Sequence, residues 1–312
     1  MNECKPGAPI GTISVCIATH RRPDRLAALL GDLCGQSVLP DEVVVVDNDA
    51  REAAAGAVVE AIRPRAPFTL RYAIEPVKNI ALARNRSVAL ASGDWLAFVD
   101  DDERAPREWL ERLANTAAQF KADGVLGPVE PQVPPSAPDW IRRGTFYDWP
   151  RTATGTVVPP NRLRFGNVLL GGALLHRQVV LFDPAYGITG GEDGDLLARL
   201  AGQGARIVWC DEAAVHEPVE SARLNLRWLL RRSLRGGQDF ARHSLAGRYA
   251  PNTRFRSMAL FVRSLAQLVG ASLLALLLWP LGRHRGTHWL LKAAANFGRL
   301  TVFWGWHYRE YA

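Results

Sequence analysis

The sequence predicts an α/β fold with a mostly parallel, doubly wound sheet, followed by a helical C-terminal region. Three observations support this. Short apolar runs typical of strands alternate with stretches whose apolar residues recur at helical spacing. The run VVVV at 43–46 is apolar at every position, as in a central strand covered on both faces. The last third of the chain becomes strongly basic and rich in helical patterns.

The first half alternates between strands and helices. The predicted order is ISVCIA (strand), RLAALLGDLCGQ (helix), DEVVVVDND (strand), REAAAGAVVEAI (helix), FTLRYAIE (strand), NIALARNRSVALA (helix) and DWLAFV (strand). Repeats of this kind are typical of right-handed βαβ units, which build parallel sheets.

The second half begins with an irregular segment. Residues 128–160 contain eight prolines, together with Trp140, Phe146, Tyr147 and Trp149. A long loop of this kind is either a functional lid or disordered, and its aromatics favour the lid. FGNVLLGGALLHR then resumes a strand pattern, and GGEDGDLLARLAGQGARIVWC predicts a turn, a helix from near Glu192 and a further strand.

Polar residues directly follow three of the predicted strands. THRR follows the first strand, DND the second and DDDE the fourth. In open α/β sheets ligands bind beyond the carboxyl ends of the strands. We therefore expect these three groups to converge on one crevice.

The acidic run FVDDDE requires a cation, because adjacent carboxylates repel each other and are seldom buried unpaired. Mg²⁺ or Mn²⁺ prefers such hard oxygen ligands. In an extended segment Asp100 and Asp102 point to the same side and Asp101 to the other. Asp100 and Asp102 are therefore predicted to hold the metal or to meet a ribose, and Glu103 is predicted to begin the next helix.

The other strand ends suit a nucleotide. Asp47 can accept hydrogen bonds from a base or a ribose, while Thr19 and the neighbouring arginines can contact the base edge or the diphosphate. Alternatively, these basic residues bind no nucleotide and lie on a solvent-exposed helix face. The predicted nucleotide-binding set is Thr19, Arg21, Arg22, Asp47, Asn48, Lys78, Arg84, Asp100 and Asp101. Neither GxGxxG nor GxxxxGK[ST] occurs, which disfavours a dinucleotide oxidoreductase and a P-loop enzyme.

GGEDGD forms a second acidic cluster. Glu192 and Asp193 lie at a predicted helix start, where acidic residues favourably meet the helix dipole. The alternative is catalytic: Asp193, with Glu192 beside it, accepts the proton of an acceptor hydroxyl. His216 in VHEP is either a third metal ligand or a structural histidine. Candidate acceptor contacts are Trp140, Asn167, Gly190, Gly191, Arg231 and Arg232.

Charge is unevenly distributed along the chain. Of a net charge of +7, residues 220–312 carry 15 basic and 3 acidic residues, which leaves residues 1–219 slightly acidic. A basic C-terminal region predicts an anionic partner, either a membrane surface or nucleic acid. The four cysteines show no CxxC spacing, so a zinc site is not expected. No signal-peptide pattern precedes the first strand, and the body is expected in the cytosol.

The C-terminal region is expected to associate with a membrane. Residues 264–281 contain no charge, which disfavours nucleic-acid binding there. A helix over 258–279 would be about 33 Å long, so it can either span a bilayer or lie on it. HWLLKAAANFGRLTVFWGW predicts an interfacial helix with one polar face. The alternative is a helical hairpin buried against the body or in a dimer.

Four stretches together resemble glycosyltransferase family 2. They are ISVCIATHRRPDRLAALLGDLCGQ, DEVVVVDND, ALARNRSVALASGDWLAFVDDDE and GGEDGDL, in the family's order and spacing over about residues 11–217. The resemblance is especially to the branch that builds bacterial exopolysaccharides of the succinoglycan type. It implies a Rossmann-like GT-A fold for a catalytic domain at 1–219, with a nucleotide-sugar half at about 11–105 and an acceptor half at about 106–219. The charge and apolar pattern described above predicts the membrane-associating region at 220–312.

The resemblance also implies a reaction. Asp47 and Thr19 match the base-binding positions, Asp100–Asp102 the DxD region for ribose and metal, and Asp193 the catalytic base. The family moves a sugar from a nucleotide-sugar, usually a UDP-sugar, with inversion and with Mn²⁺ or Mg²⁺. The implied acceptor is a polyprenyl-diphosphate-linked saccharide at the cytoplasmic face of the bacterial inner membrane.

Two departures limit what the resemblance implies. GNVLLGG has two glycines beyond the usual acceptor-region pattern, and NLRWLLRR only partly matches the QxxRW signature of processive synthases. Transfer of a single sugar is therefore favoured. The alternative function is a non-catalytic, membrane-bound nucleotide-sugar-binding or assembly protein with the same fold, and homo-oligomers through the C-terminal helices are a further expectation.

Overall fold

The computed structural model describes residues 10–309; Cys4 lies outside this range. The elements in chain order are β1 (Ile13–Thr19), α1 (Pro23–Cys34), β2 (Glu42–Asp47), α2 (Ala54–Ile62), β3 (Thr69–Ile74), α3 (Ile80–Leu90), β4 (Trp95–Val99), α4 (Trp109–Phe120), β5 (Gly124–Leu126), β6 (Val129–Gln132), α5 (Asp139–Arg142), β7 (Asn167–Gly171), α6 (Gly172–His176), α7 (Glu192–Gly202), β8 (Ile207–Trp209), β9 (Val215–Pro218), α8 (Leu226–Leu245), α9 (Arg254–Leu278) and α10 (Arg283–Thr301).

The main sheet has seven strands in the order β3-β2-β1-β4-β7-β5-β8. β1 to β4 are parallel to one another where they pair, as predicted. β7 is antiparallel to both β4 and β5, which makes the sheet mixed at its centre. β6 and β9 form a separate parallel pair. The predicted doubly wound, mostly parallel α/β fold is confirmed.

The sheet is buried on both faces, which explains the run VVVV. Val43 and Val45 pack on one side with α1, α2 and α4. Val44 and Val46 pack on the other side with α3, α6 and α7. Each face of the sheet therefore requires its own apolar set, and alternate residues of β2 serve the two faces.

Three local predictions were wrong. The strand predicted for FGNVLLGGALLHR ends at Gly171, where helix α6 begins. The proline-rich segment includes the short strand β6 and the single-turn helix α5. Glu103 does not begin a helix, since α4 starts at Trp109 and Glu103 is a buried residue of the connection before it.

The C-terminal helices α8, α10 and α9 pack in layers beside the start of α7. α8 contacts the turn before α7: His243 Nε2 lies 2.9 Å from the Gly191 carbonyl oxygen. α10 packs on α8 at two glycines: a Cβ on Gly237 or Gly298 would overlap the facing backbone of Ala295 or Leu234. α9 lies on α10, where Arg299 Nη1 donates to Gln267 Oε1 at 3.2 Å.

This packing predicts opposite effects for two adjacent glycines of α8. Gly237→Ala should lower the free energy of unfolding by about 1–3 kcal/mol, because the new methyl group overlaps the Ala295 backbone. Gly236→Ala is the matched control. An added Cβ there meets no atom within 4 Å, so the better helix propensity of alanine should raise stability by up to about 1 kcal/mol. Chemical denaturation of both variants measures the difference, and equal effects would contradict the close packing.

Candidate active site

The carboxyl ends of β1, β2 and β4 meet at one edge of the sheet, as predicted. Thr19, at the end of β1, donates from Oγ1 to Asp101 Oδ2 at 2.7 Å. The Asn48 amide, after β2, donates to the Thr19 carbonyl at 2.8 Å. THRR, DND and DDDE therefore form a single polar crevice.

The acidic loop makes a turn at Asp101 and Asp102 and is not extended. The prediction that Asp100 and Asp102 share one side and Asp101 opposes them was therefore wrong. Asp101 and Asp102 instead share Arg22 Nη1, at 2.9 and 3.0 Å. Asp100 points to α3, where its Oδ1 lies 3.2 Å from Arg84 Nη2.

Arginines supply the positive charge at this loop. Asp102 Oδ2 lies 3.0 Å from Arg22 Nη1 and 3.0 Å from Arg223 Nη2, with Arg25 Nη1 at 3.7 Å. Arg223 also pairs with Glu217 of β9. The turn at Ser221–Arg223, just before α8, therefore reaches into the crevice.

Several carboxyl groups at this loop remain hard to ionise despite these arginines. Burial, with the charges of Asp100 and Asp102, holds the pKa of Glu103 well above its usual range. Burial raises the pKa of Asp101 to about 6, although Arg22 favours the ionised form. Burial and Asp102 also raise the pKa of Glu217. An additional cation would lower the electrostatic cost of ionising these groups.

The carboxylates of the acidic loop suit a divalent ion that is also bound by the oxygens of a diphosphate. Within residues 10–309, no three His, Cys, Asp or Glu side chains are arranged to enclose a metal. A Mg²⁺ ion held together with substrate phosphates needs only one or two protein carboxylates. Asp102 and Asp100 offer such hard oxygens close to Glu103, whose buried carboxyl group is hard to ionise without a further cation. These residues suit an ion that arrives with a nucleotide more than a closed protein site.

Arg84 connects the acidic loop to the second acidic cluster. Its side chain is buried, with the guanidinium carbon 4.5 Å from the centre of the Phe165 ring. Nη1 lies 2.6 Å from Glu192 Oε1 and 3.9 Å from Asp193 Oδ2, while Nη2 meets Asp100. One guanidinium on α3 therefore links β4 to the start of α7.

The two acids at the start of α7 have different environments. Glu192 is buried, and this burial, with the charge of Asp193, raises its pKa to about 7 against the opposing effect of Arg84. The Asp193 side chain is 31% exposed and accepts the Gly194 amide at 2.7 Å. Gly190 and Gly191 precede them with φ of +84° and +97°, values that favour glycine. Asp193 is thus the accessible carboxylate and Glu192 the enclosed one.

The remaining predicted nucleotide residues surround the end of β2. The Asp47 carboxylate is buried and accepts the amides of Asp49 and Ala55, at 3.0 and 3.2 Å. Asn48 donates to the carbonyls of Glu75 and Val77. These bonds shape the edge of the crevice.

Two of the predicted basic residues lie at the surface. Arg21 has a φ of +57° and pairs with Asp49 at 2.5 Å. Lys78 is exposed after β3. Their nucleotide-binding role stays a prediction.

The backbone of His216 pairs with that of Arg104, directly after the acidic loop, while its side chain contacts β6. Its Nδ1 is 3.3 Å from Glu130 Oε2 on the neighbouring strand β6. The next residue, Glu217, is the one that pairs with Arg223 beside Asp102. Side chains alternate along a strand, so this arrangement favours the structural alternative for His216.

The predicted acceptor residues are dispersed. Asn167 is 1% exposed, accepts Trp109 Nε1 at 2.8 Å, and donates to the carbonyls of Pro128 and Ala213. The oxygen and the nitrogen of its side-chain amide therefore both form hydrogen bonds within the protein. We leave Asn167 out of the acceptor site. Trp140 lies under Arg283 of α10, 4.4 Å from the ring centre. Arg231 is exposed on α8.

Arg232 belongs to a cluster that the sequence did not indicate. Its guanidinium carbon lies 5.5 Å from the centre of the Trp149 ring, and that of Arg164 lies 3.1 Å from the same ring. Trp149 is part of the predicted aromatic lid, but no motif marks Arg164. Arg223 was also missed, because the basic excess after residue 220 was attributed only to an anionic partner.

Comparison with known proteins identifies relatives. The family model "Glycosyl transferase family 2" matches residues 14–167. The succinoglycan biosynthesis protein ExoM of Rhizobium meliloti (strain 1021) is 40% identical over 240 residues, which cover 74% of this chain and 74% of that protein. The galactofuranosyltransferase GlfT1 of Mycobacterium tuberculosis (strain ATCC 25618 / H37Rv) is 35% identical over 105 residues, 30% of this chain and 31% of that protein.

Solved structures share the fold. The mannosyltransferase PcManGT from Pyrobaculum calidifontis, in complex with GDP-Man and Mn²⁺, matches with a TM-score of 0.66 and 19% identity, over 94% of this chain and 89% of that one. S. aureus TarS 1-349 in complex with UDP-GlcNAc matches with a TM-score of 0.55 and 19% identity, over 96% and 93%. At this identity the likeness concerns the fold alone.

The raised pKa of Glu192 predicts a specific pH dependence of stability. Its pKa is about 7 in the folded protein against a usual 4.5, so the unfolded state ionises first. The free energy of unfolding should therefore fall as the pH rises from about 4.5 to 7, by a few kcal/mol at most.

Glu192→Gln removes this contribution. The stability of the variant minus that of the wild type should increase between pH 5 and pH 7, whatever constant offset the lost Arg84 pair introduces. Chemical denaturation at several pH values measures the difference. A difference independent of pH would show that Glu192 is ionised as easily in the folded as in the unfolded protein.

Proposed function

This chain belongs to glycosyltransferase family 2, and we propose that it transfers one sugar from a UDP-sugar to a lipid-linked saccharide, with inversion at the anomeric carbon. The observation that carries the proposal is the placement of Arg84 between the acidic loop and Glu192–Asp193. The proposed donor-binding loop and the accessible carboxylate of Asp193 both contact the same guanidinium group. They are therefore close together, as the transfer of a group between two bound substrates requires.

The donor is assigned to the crevice at the ends of β1, β2 and β4. Thr19 and Asp101 hold each other there, and the Asp47 carboxylate lies at the end of β2. Nucleotide-sugars occupy the related folds of PcManGT and TarS, as GDP-Man and UDP-GlcNAc. A UDP-sugar is the donor proposed for this chain.

A divalent ion, Mn²⁺ or Mg²⁺, is proposed to be held by Asp102 and Asp100 together with the donor diphosphate. When bound, it would supply positive charge to the leaving diphosphate. Arg22 and Arg223 each contact Oδ2 of the Asp102 carboxylate at 3.0 Å and so fix its position. The PcManGT complex with Mn²⁺ supports this assignment.

Asp193 is proposed as the general base. Its carboxylate takes the proton of the acceptor hydroxyl, the hydroxyl oxygen forms a bond to the anomeric carbon, and the bond from that carbon to the diphosphate oxygen breaks on the opposite face. Arg84 contacts Asp193 at 3.9 Å and orients the start of α7 through Glu192. The non-catalytic alternative has no observation in its favour.

The acceptor is assigned to the side of the crevice lined by α7 and α8. Gly190 and Gly191 form the turn before α7 there. Arg164 and Arg232 face the Trp149 ring, and neither has a carboxylate within 4.0 Å among the described residues. Arginines and an aromatic ring suit an acceptor that combines sugar and diphosphate.

One relative and the C-terminal helices support the proposed cellular setting. ExoM is named for succinoglycan biosynthesis, which supports a role in bacterial exopolysaccharide synthesis. Within residues 10–309, one helix, Arg254–Leu278, is long and apolar enough to cross a membrane. We place the enzyme at the cytoplasmic face of the inner membrane, where a polyprenyl-linked acceptor is exposed.

Replacing the proposed base tests the catalytic assignment. Asp193→Asn should lower sugar transfer at least about a hundredfold and leave UDP binding intact, because only the proton acceptor is lost. The exposed Asp139→Asn is the matched control and should retain full activity. Transfer and donor hydrolysis measured with a panel of UDP-, GDP- and dTDP-sugars report the loss. Normal turnover by Asp193→Asn would overturn the assignment.

Thermal unfolding tests the metal assignment without requiring turnover. UDP with Mn²⁺ should raise the melting temperature of the wild type, and EDTA should remove most of this rise, because the ion and the diphosphate bind together. In Asp102→Asn, adding Mn²⁺ to UDP should raise the melting temperature little beyond the effect of UDP alone. Equal stabilisation by UDP with and without EDTA would contradict metal binding at this loop.

A further inference from the structure

Helix α9 exposes a continuous apolar stripe. Its exposed large side chains recur every three or four residues, and Phe255 and Leu276 near the two ends are 82% and 73% exposed. At 100° per residue they occupy one side of the helix, opposite the buried Ser264, Ala271 and Ala275. The stripe consists of Phe255, Met258, Val262, Leu265, Val269, Leu273, Leu276 and Leu277. An apolar surface of this length is unusual on a soluble monomer.

Basic and aromatic residues border the stripe. Arg254 lies on one edge, and Arg256 and Arg263 lie on the other, all three exposed. Trp279 follows the helix and is 40% exposed. Arginines beside an apolar face can extend to lipid head groups, and tryptophan prefers the same zone.

The opposite side of α9 packs on α10, and α10 separates α9 from the body. Phe261 of α9 meets Phe303, just after α10, with ring centres 5.3 Å apart. On its other side α10 packs against α8 at Gly237 and Gly298. From the sheet outward, the layers are therefore α8, α10 and α9, with the stripe facing away from the protein.

We propose that α9 lies in the plane of a bilayer containing anionic lipids, with its stripe in the interface between head groups and acyl chains, and that it does not cross the bilayer. This deepens the membrane association in the proposed function and rests on it. The layering of α8, α10 and α9, together with the stripe and its arginine borders, carries the inference.

A crossing orientation conflicts with the position of α10. α10 runs beside α9, so it would enter the hydrocarbon with α9 and take Arg283, Arg285 and Lys292, which are exposed, along with it. α8 packs on α10 and carries Arg231 and Arg232. Placing so many unpaired charges at hydrocarbon depth is strongly unfavourable. An in-plane orientation buries the stripe and leaves these charges at the aqueous side.

Charge favours an anionic bilayer over a second copy of the chain. Residues 220–312 carry 15 basic and 3 acidic residues, so two such surfaces would repel each other. The same charge attracts anionic lipids, and this attraction adds to the apolar burial.

Vesicle flotation of the full-length protein tests the stripe. The wild type should bind vesicles of phosphatidylcholine with phosphatidylglycerol more tightly than vesicles of phosphatidylcholine alone. Val269→Glu should weaken binding roughly tenfold or more, because it places a charge where the proposed orientation puts an apolar side chain in lipid. Val179→Glu, at a fully exposed valine in a loop of the body, is the control and should bind like the wild type.

Fluorescence depth measurements separate the in-plane from the crossing orientation. A fluorophore is attached at Met258→Cys, Leu265→Cys or Leu276→Cys in a background with Cys4→Ser and Cys34→Ser. Nitroxide lipids labelled near the head group should quench all three more strongly than lipids labelled deep in the acyl chain. Deep quenching at Leu265 with shallow quenching at the two ends would show a crossing helix and overturn the proposal.

Two other outcomes would also overturn the proposal. One is a protein that fails to bind either kind of vesicle. The other is a dimer in analytical ultracentrifugation that Val269→Glu dissociates while vesicle binding is unchanged, which would assign the stripe to a second copy. Neither experiment measures sugar transfer, so failure here is distinguishable from failure of the Asp193→Asn experiment.

Discussion

The organisation of the site depends on the burial of Arg84 among three carboxylates. Its guanidinium lies against Phe165 and reaches Asp100 after β4 and Glu192 at the start of α7. A buried arginine is stable only with such partners, so the two acidic segments must stay close to it. Residues more than 90 positions apart in the chain thereby become neighbours. The pairing with Glu192 leaves Asp193 as the accessible acid.

A second constraint is the charge balance of the acidic loop. Asp100–Glu103 and Glu217 are crowded, and the raised pKa values of Glu103 and Asp101 reflect burial among like charges. Arg22 from the first βα connection and Arg223 from the turn before α8 offset part of this charge. Because Arg223 belongs to the basic C-terminal region, that region is electrostatically coupled to the crevice. The predicted boundary at residue 219 therefore divides charges that act together.

Much of the site was predictable because it follows from strand order. Parallel strands bring their carboxyl ends to one edge, so THRR, DND and DDDE had to meet once β1, β2 and β4 were recognised. The individual partners were not predictable. Asp101 turns to Thr19 and Arg22, and Asn167 is committed to Trp109 and two carbonyl groups. A turn of two residues decides such contacts, and hydrophobic periodicity carries no information about it.

The sequence by itself determined the α/β fold, the family, the acidic loop, the acidic pair at α7 and the basic apolar C-terminal region. These features depend on local periodicity and on motifs short enough to recognise in one stretch. Only the tertiary structure decided which cations meet which carboxylates, and that Arg164, Trp149 and Arg232 assemble. It also decided that α10 separates α9 from the body. Each of these depends on contacts between segments distant in the chain, and their geometry is set by packing rather than by local pattern.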